Sequence, residues 1–200
     1  MPGAFDRLAQ GVGAVHRLSP DFPIGARCTV QARNAAHLRA TVPAARDMGL
    51  RSLSFLAADL SSTAFNRPVT WPAGRQSTVA PELAALDGEM ESLIAEYPAD
   101  GFILESPRKL RRIVEHFRAH HGIAPHIAPR CNAPWVSAVV ESNGDVRPCF
   151  FHAAIGNTAG TTLGAVLNGP RAMAFRESLR VADDPICQRC VCSLYVETRE

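Results

Sequence analysis

The sequence predicts an α/β opening that gives way to a small β-hairpin-plus-helix region, α+β overall. Three observations carry this reading. Helical and strand-like patterns alternate from the start to about residue 62. An Asn143-Gly144 pair separates two apolar runs. Five of the six cysteines (Cys131, Cys149, Cys187, Cys190 and Cys192) fall in the last seventy residues. Two hundred residues, 46% hydrophobic and 20% charged, suffice for one ordinary domain or a small domain plus part of another. A chain of that size can bury a core without needing metal or disulfides merely to fold.

The first element is a helix. Phe5, Leu8, Val12, Val15 and Leu18 recur at helical spacing, and Ser19-Pro20 stops it. Ile24–Gln31 is short, apolar and β-branched, as a strand requires. Asn34 is placed to cap a second helix carrying Leu38, Val42, Ala45 and Met48, with Gly49 at its end. Pro43 removes one backbone hydrogen bond from that helix and should kink it. Ser52–Ala58 reads as a second buried strand. Helix, strand, helix, strand is the rhythm of a parallel sheet. Residues 59–78 read as a loop.

A further helix is expected from Pro81 to Tyr97, with Leu83, Leu86, Met90, Leu93 and Ile94 on one face. Ser106 should cap the next, with Pro107 at its first position and Leu110, Ile113, Val114 and Phe117 as its core stripe. His116, His120 and His121 near its end read as solvent-facing residues favourable to the helix dipole. Trp135–Val140 and Val146–Phe151 flank Asn143-Gly144, which predicts a type I′ hairpin. A short helical piece at Leu163–Leu167 follows, then a last helix from Pro170 with Asn168 as cap. Asp183-Asp184-Pro185 breaks that helix just before the final cysteines.

Charge excludes some functions. The net charge is +2 and the basic residues are scattered, all but Lys109 of the 21 being arginine. No basic block or aromatic-interleaved stripe suggests nucleic acid. No apolar run approaches the roughly 18 residues of a membrane span, and MPGAFDRLAQ lacks the pattern of a secretory signal. A cytoplasmic protein is expected, and reduced clustered thiols there suggest metal before disulfide. Cys28, alone in IGARCTV, reads as a small hydrophobe on a strand.

The cysteine spacing is the most informative feature. Cys131 is followed by twelve residues, Gly144, four residues and Cys149, and after a long gap by Cys187-Gln-Arg-Cys190. Cys-x-x-Cys offers two thiolates from one tight turn. The hairpin should bring Cys131 and Cys149 to its open end, helped by the bend at Pro134. Four thiolates suit tetrahedral zinc or a four-cysteine iron–sulfur cluster. Structural zinc sites commonly use two short knuckles, and here there is one, which favours iron and sulfide. A zinc-binding structural or interaction module without redox role is the alternative.

CNAPWVSAVVESNGDVRPC, then IGN, TLGAVLNGP and PICQRC, resembles the C-terminal extension of radical S-adenosylmethionine enzymes, of the SPASM/Twitch type. Cys131, Gly144 and Cys149 meet that family's pattern of Cys, nine to fifteen residues, Gly, four residues, Cys. The larger SPASM form continues with further cysteines and holds two clusters. This chain departs from it, with Val196 six positions after Cys190, and resembles the shorter Twitch form. The resemblance implies one 4Fe-4S cluster held by Cys131, Cys149, Cys187 and Cys190, with Cys192 a spare or alternative ligand. It also implies that residues 1–62 are the last βα units of a partial (β/α)6 barrel. Residues 63–122 would be a linker and helical connector, and residues 123–200 the iron–sulfur domain.

The family's S-adenosylmethionine-cleaving loop, Cys-x-x-x-Cys-x-x-Cys, is not present: Cys187, Cys190 and Cys192 are spaced by two residues and one. Radical formation belongs to that cofactor, which the protein only positions. The chain alone is therefore expected not to start a radical, and no catalytic residue is assigned. S-adenosylmethionine would be bound only on completion by the missing half, from a truncated gene's upstream sequence or a separate partner chain. The substrate class implied is a peptide or small molecule. No nucleic acid or membrane partner is expected.

Overall fold

The computed structural model describes residues 3–60, 62, 80–97 and 100–197, and only the backbone of residues 80–82. The loop expected at residues 59–78 therefore lies largely outside the described residues. The chain divides into two compact units, residues 1–58 with 74–124, and residues 59–73 with 125–200. Among the described residues its elements are mixed α and β, with two small sheets.

The first unit is built on parallel strands. β1 (Gly25–Val30) pairs with β2 (Ser52–Ala57) in register from Gly25↔Ser52 to Val30↔Ala57. A third segment joins in parallel beside β2: Leu53 N donates to Phe102 O at 2.8 Å, and Leu104 N to Leu53 O at 3.0 Å. One sheet face buries Val30, Leu53, Phe55 and Ala57. The other is polar, with Arg27 Nε donating to Ser54 Oγ at 3.0 Å. The carboxylate of Glu105 accepts from Phe55 N at 2.9 Å.

Helices α1 (Ala4–Leu18), α2 (Leu38–Asp47), α3 (Ala80–Glu96) and α4 (Pro107–His120) complete this unit. α2 ends as expected. Gly49 is left-handed at φ 75°, and Gly49 N and Leu50 N reach back to Arg46 O and Ala45 O at 2.8 and 3.1 Å. This is the paired arrangement that satisfies a helix's last carbonyls. The caps of α4 also match, Ser106 Oγ accepting from Lys109 N at 3.4 Å. Leu83, Leu86, Met90 and Leu93 of α3, and Leu110, Ile113, Val114 and Phe117 of α4, are buried.

Two expectations for this unit need correction, and one predicted helix forms with its apolar face largely open. Asn34 does not cap α2, which starts at Leu38 after His37. Its side chain is occupied by the preceding turn, accepting from Gln31 N at 2.8 Å and donating to Thr29 O at 3.0 Å. Of the α1 stripe only Val12 is buried, and Leu18 is 88% exposed. Periodicity makes the helix, but burial also needs an opposing surface. Finally, His116 does not face solvent. It shares the stripe of Ile113 and Phe117 and is buried edge-on to Phe117, ring centroids 5.5 Å apart. His120 and His121 are half-buried.

In the second unit, β3 (Val139–Val140), β4 (Asp145–Arg147) and β5 (Gly156–Asn157) form an antiparallel sheet in that order. α5 (Ala133–Val136), α6 (Leu163–Leu167), α7 (Pro170–Ser178) and α8 (Pro185–Gln188) are the helices of this unit. Val146, Ile155, Val166 and Ala172 make its core, with Phe175 packed alongside. Each predicted strand is shorter than expected: Ala133–Val136 turns as a helix, because Pro134 suits a first helical turn. Asn168 ends α6, its amide donating to Gly164 O at 2.9 Å, and Gly169 occupies the cap of α7.

The hairpin exists, but its turn is not type I′ on Asn143-Gly144. Gly144 N donates to Glu141 O at 2.9 Å and Glu141 N to Asp145 O at 2.8 Å. The turn is thus centred on Ser142-Asn143, and Gly144 follows it in the left-handed region at φ 86°. This is the three-residue loop with a glycine bulge. Asn143 serves it through its side chain, Oδ1 accepting from Asp145 N at 3.0 Å. Asn157 ties β5 to the tip by donating to Asn143 O and Asp145 Oδ1 at 3.1 and 2.9 Å.

Candidate metal centre

Cys131 precedes α5, and Ala133 N donates to its Sγ at 3.5 Å. Cys149 lies beyond the end of β4, where the ladder stops and the backbone bends. Its thiol receives backbone N–H groups from Phe151 and His152. Such donors favour a thiolate, yet burial prevails and holds the Cys149 thiol above its ordinary range, with Cys131 and Asp184 adding to the rise.

Cys187 sits inside α8. Asp184 caps that helix, its Oδ1 accepting from Ile186 N and Cys187 N, both at 2.9 Å. Burial, followed by the charge and hydrogen bond of Asp184 and then the neighbouring Cys149 and Cys131, pushes the Cys187 thiol up to about 12. Cys190 completes a tight turn, its N donating to Cys187 O at 3.1 Å. Its thiol donates to Cys192 O at 2.5 Å.

The chain therefore brings Cys131, Cys149 and Cys187 into one electrostatic neighbourhood, though 56 residues separate the first from the last (187 less 131). Cys190 follows one turn later with its proton given to a carbonyl. A ligating thiolate has no proton, so that bond belongs to the metal-free protein alone. All six cysteines are free thiols and half-buried. Cys28 stays on β1, where burial raises its thiol and Asn34 Nδ2 lies 3.6 Å from its sulfur.

Two residues not predicted as ligands, His152 and Asp184, lie beside Cys187. His152 Nε2 is 3.4 Å from Cys187 Sγ and 3.7 Å from Asp184 Oδ1. The ligand atoms of His152, Asp184 and Cys187 all lie within 4.8 Å of one another. The His152 ring packs edge-on against Phe175, centroids 5.0 Å apart, and its carbonyl accepts from Arg147 Nη1 at 3.0 Å. Burial lowers its pKa, partly offset by Asp184, which favours a neutral ring.

The donor set fits a thiophilic metal group. Several thiols and a carboxylate crowd together and raise each other's proton affinity, and a cationic centre relieves that crowding by replacing the protons. Soft sulfur donors select iron–sulfur clusters or zinc over hard cations.

Residues 131–191 match the family model SPASM, described as an iron-sulfur cluster-binding domain. The region is similar to that domain, consistent with the SPASM/Twitch domain of a radical S-adenosylmethionine enzyme that its motifs resemble. The match covers under a third of the chain. It contains all four predicted ligands and His152 and Asp184, and it stops just short of Cys192. No curated protein and no solved structure matches the chain. Among the described residues no helix is long and apolar enough to cross a membrane.

Proposed function

We propose that the second unit binds one 4Fe-4S cluster through Cys131, Cys149, Cys187 and Cys190. The observation that carries this reading is the convergence of Cys131, Cys149 and Cys187 inside the SPASM-type region. Four thiolates are the usual ligands of such a cluster. It would act as an auxiliary centre that passes an electron or anchors a peptide or small-molecule substrate.

The parallel strands of the first unit support the further reading that they are the last βα units of a partial barrel. The loop that cleaves S-adenosylmethionine would come from residues outside these 200, in the same polypeptide or a partner chain. Alone, this chain would produce no 5′-deoxyadenosine, because four cysteines leave no iron open to that molecule. A reducing cytoplasmic setting suits this chemistry.

A second reading, a zinc-stabilised module, is favoured by the mixed His152–Asp184–Cys187 group, since zinc accepts nitrogen, oxygen and sulfur together. Ligand replacement under anaerobic reconstitution tests both. Alanine at Cys131, Cys149, Cys187 or Cys190 should each lower iron and sulfide content, while Cys28→Ala and Cys192→Ala should keep it. Full iron content in all four ligand variants would remove this assignment. Assaying 5′-deoxyadenosine with a strong reductant tests the rest, and product rising in step with protein would contradict the predicted inactivity.

A further inference from the structure

Cluster potentials depend on hydrogen bonds to the ligating sulfurs. The His152 imidazole has a nitrogen within hydrogen-bond reach of a predicted ligand sulfur, 3.4 Å from Cys187 Sγ. Its position is built rather than incidental. The residue is 5% exposed, Phe175 fixes the ring edge-on, and Arg147 holds the backbone through the carbonyl.

A ligating Cys187 sulfur carries no proton. Sulfur and carboxylate are then both acceptors, side by side at the start of α8. Asp184 Oδ1 already receives two backbone N–H groups, and a favourable contact at Sγ requires a donor. Nε2 stands within 4 Å of both atoms.

Building on the cluster reading above, we propose that His152 is a positioning residue for the redox centre. Its Nε2–H donates to the ligating sulfur of Cys187, and it is not itself a ligand. The donor stabilises the more negative reduced cluster, so it raises the midpoint potential against the opposing charge of Asp184.

The test uses the reconstituted full chain, His152→Gln, which keeps an N–H donor, and His152→Leu, which has none. Iron and sulfide are assayed first, and potentials are then measured by redox titration followed by electron paramagnetic resonance. All three proteins should hold equal iron. His152→Leu should shift to more negative potential by about tenfold in the reduced-to-oxidised ratio, or about 59 mV for one electron, with His152→Gln between it and wild type. An unmoved potential in fully loaded His152→Leu sinks the inference alone.

If His152→Leu does not load, pulsed resonance on wild type carrying 15N-histidine decides. Weak nitrogen coupling supports a donor, and the strong coupling of a direct Fe–N bond overturns it. Wild type that takes up no iron would remove the cluster reading, and this inference with it.

Discussion

Asn132 clasps Val196 with both ends of its side-chain amide. Nδ2 donates to Val196 O at 2.8 Å, and Oδ1 accepts from Val196 N at 3.0 Å. Its backbone N–H donates to Leu194 O at 2.9 Å. Two residues earlier, Arg130 stacks its guanidinium 3.6 Å from the centre of the Tyr195 ring and donates to the phenol oxygen. Cys131 stands between these two contacts. The segment after Cys190 is therefore held against the segment that opens the site, and two distant cysteine-bearing stretches are fixed together without metal.

Asn132→Ala should then weaken the site although Asn132 is no ligand. Two hydrogen bonds of about 0.5–1.5 kcal/mol each are lost, partly recovered by water because the pair is exposed. A loss of about 1–2 kcal/mol in urea unfolding and reduced iron occupancy are expected. Asn132→Asp keeps the acceptor and should fall between. Wild-type iron content and stability in Asn132→Ala would show that the clasp does not organise the site.

Two glycines shape the sheet for different reasons. Gly144 is left-handed, and a Cβ there would also approach Asn157 Oδ1 and Thr158 Oγ1 to 3.0 Å. Gly144→Val should lower the melting temperature and, through the hairpin, the iron content, the left-handed backbone alone costing about 1–2 kcal/mol. Gly156 has no special φ, but a Cβ would meet Val166 Cγ1 at 2.6 Å. Gly156→Ala should cost about 1–3 kcal/mol as overpacking. Combining it with Val166→Ala, which vacates that space, should cost less than the sum of the two single changes, as neighbouring sites do. Strict additivity in chemical denaturation would exclude the contact.

Glu105 supplies a pH dependence in the first unit. Burial raises its pKa above 4.5, outweighing the N–H of Phe55 and the charges of Arg27 and Lys109. The folded protein thus holds this proton more tightly than the unfolded chain. Its contribution to stability is greatest below pH 4.5 and declines as pH rises through the folded-state pKa. Glu105→Gln keeps an acceptor for Phe55 N and should lack that decline. Parallel stability curves for the two proteins from pH 4 upward would contradict the assignment.

Much of the frame was legible in local pattern. Apolar spacing announced α3 and α4, with a capping Ser106 for the latter, short apolar runs announced β1 and β2, and Asn-Gly announced a hairpin. The spacing Cys131–Gly144–Cys149 and Cys187–Cys190 pointed to the metal centre. What escaped depends on distant partners. Asn132 acquires its role from Val196, 64 residues away. Asn34 looked like a cap because its competing turn partners, Gln31 and Thr29, act through geometry and not through residue type. His152 carried one faint signal, its position three residues after Cys149, which means little until α8 folds beside it. Trp135–Val140 read as strand because apolar content alone does not distinguish a strand from a helical turn started by Pro134.

The central claim is that residues 131–191 hold an iron–sulfur cluster. Metal and acid-labile sulfide content of the protein isolated without oxygen tests it most directly. The account predicts about four irons and four sulfides per chain, with a brown colour that Cys187→Ala diminishes. A colourless protein holding one zinc and no sulfide would contradict it.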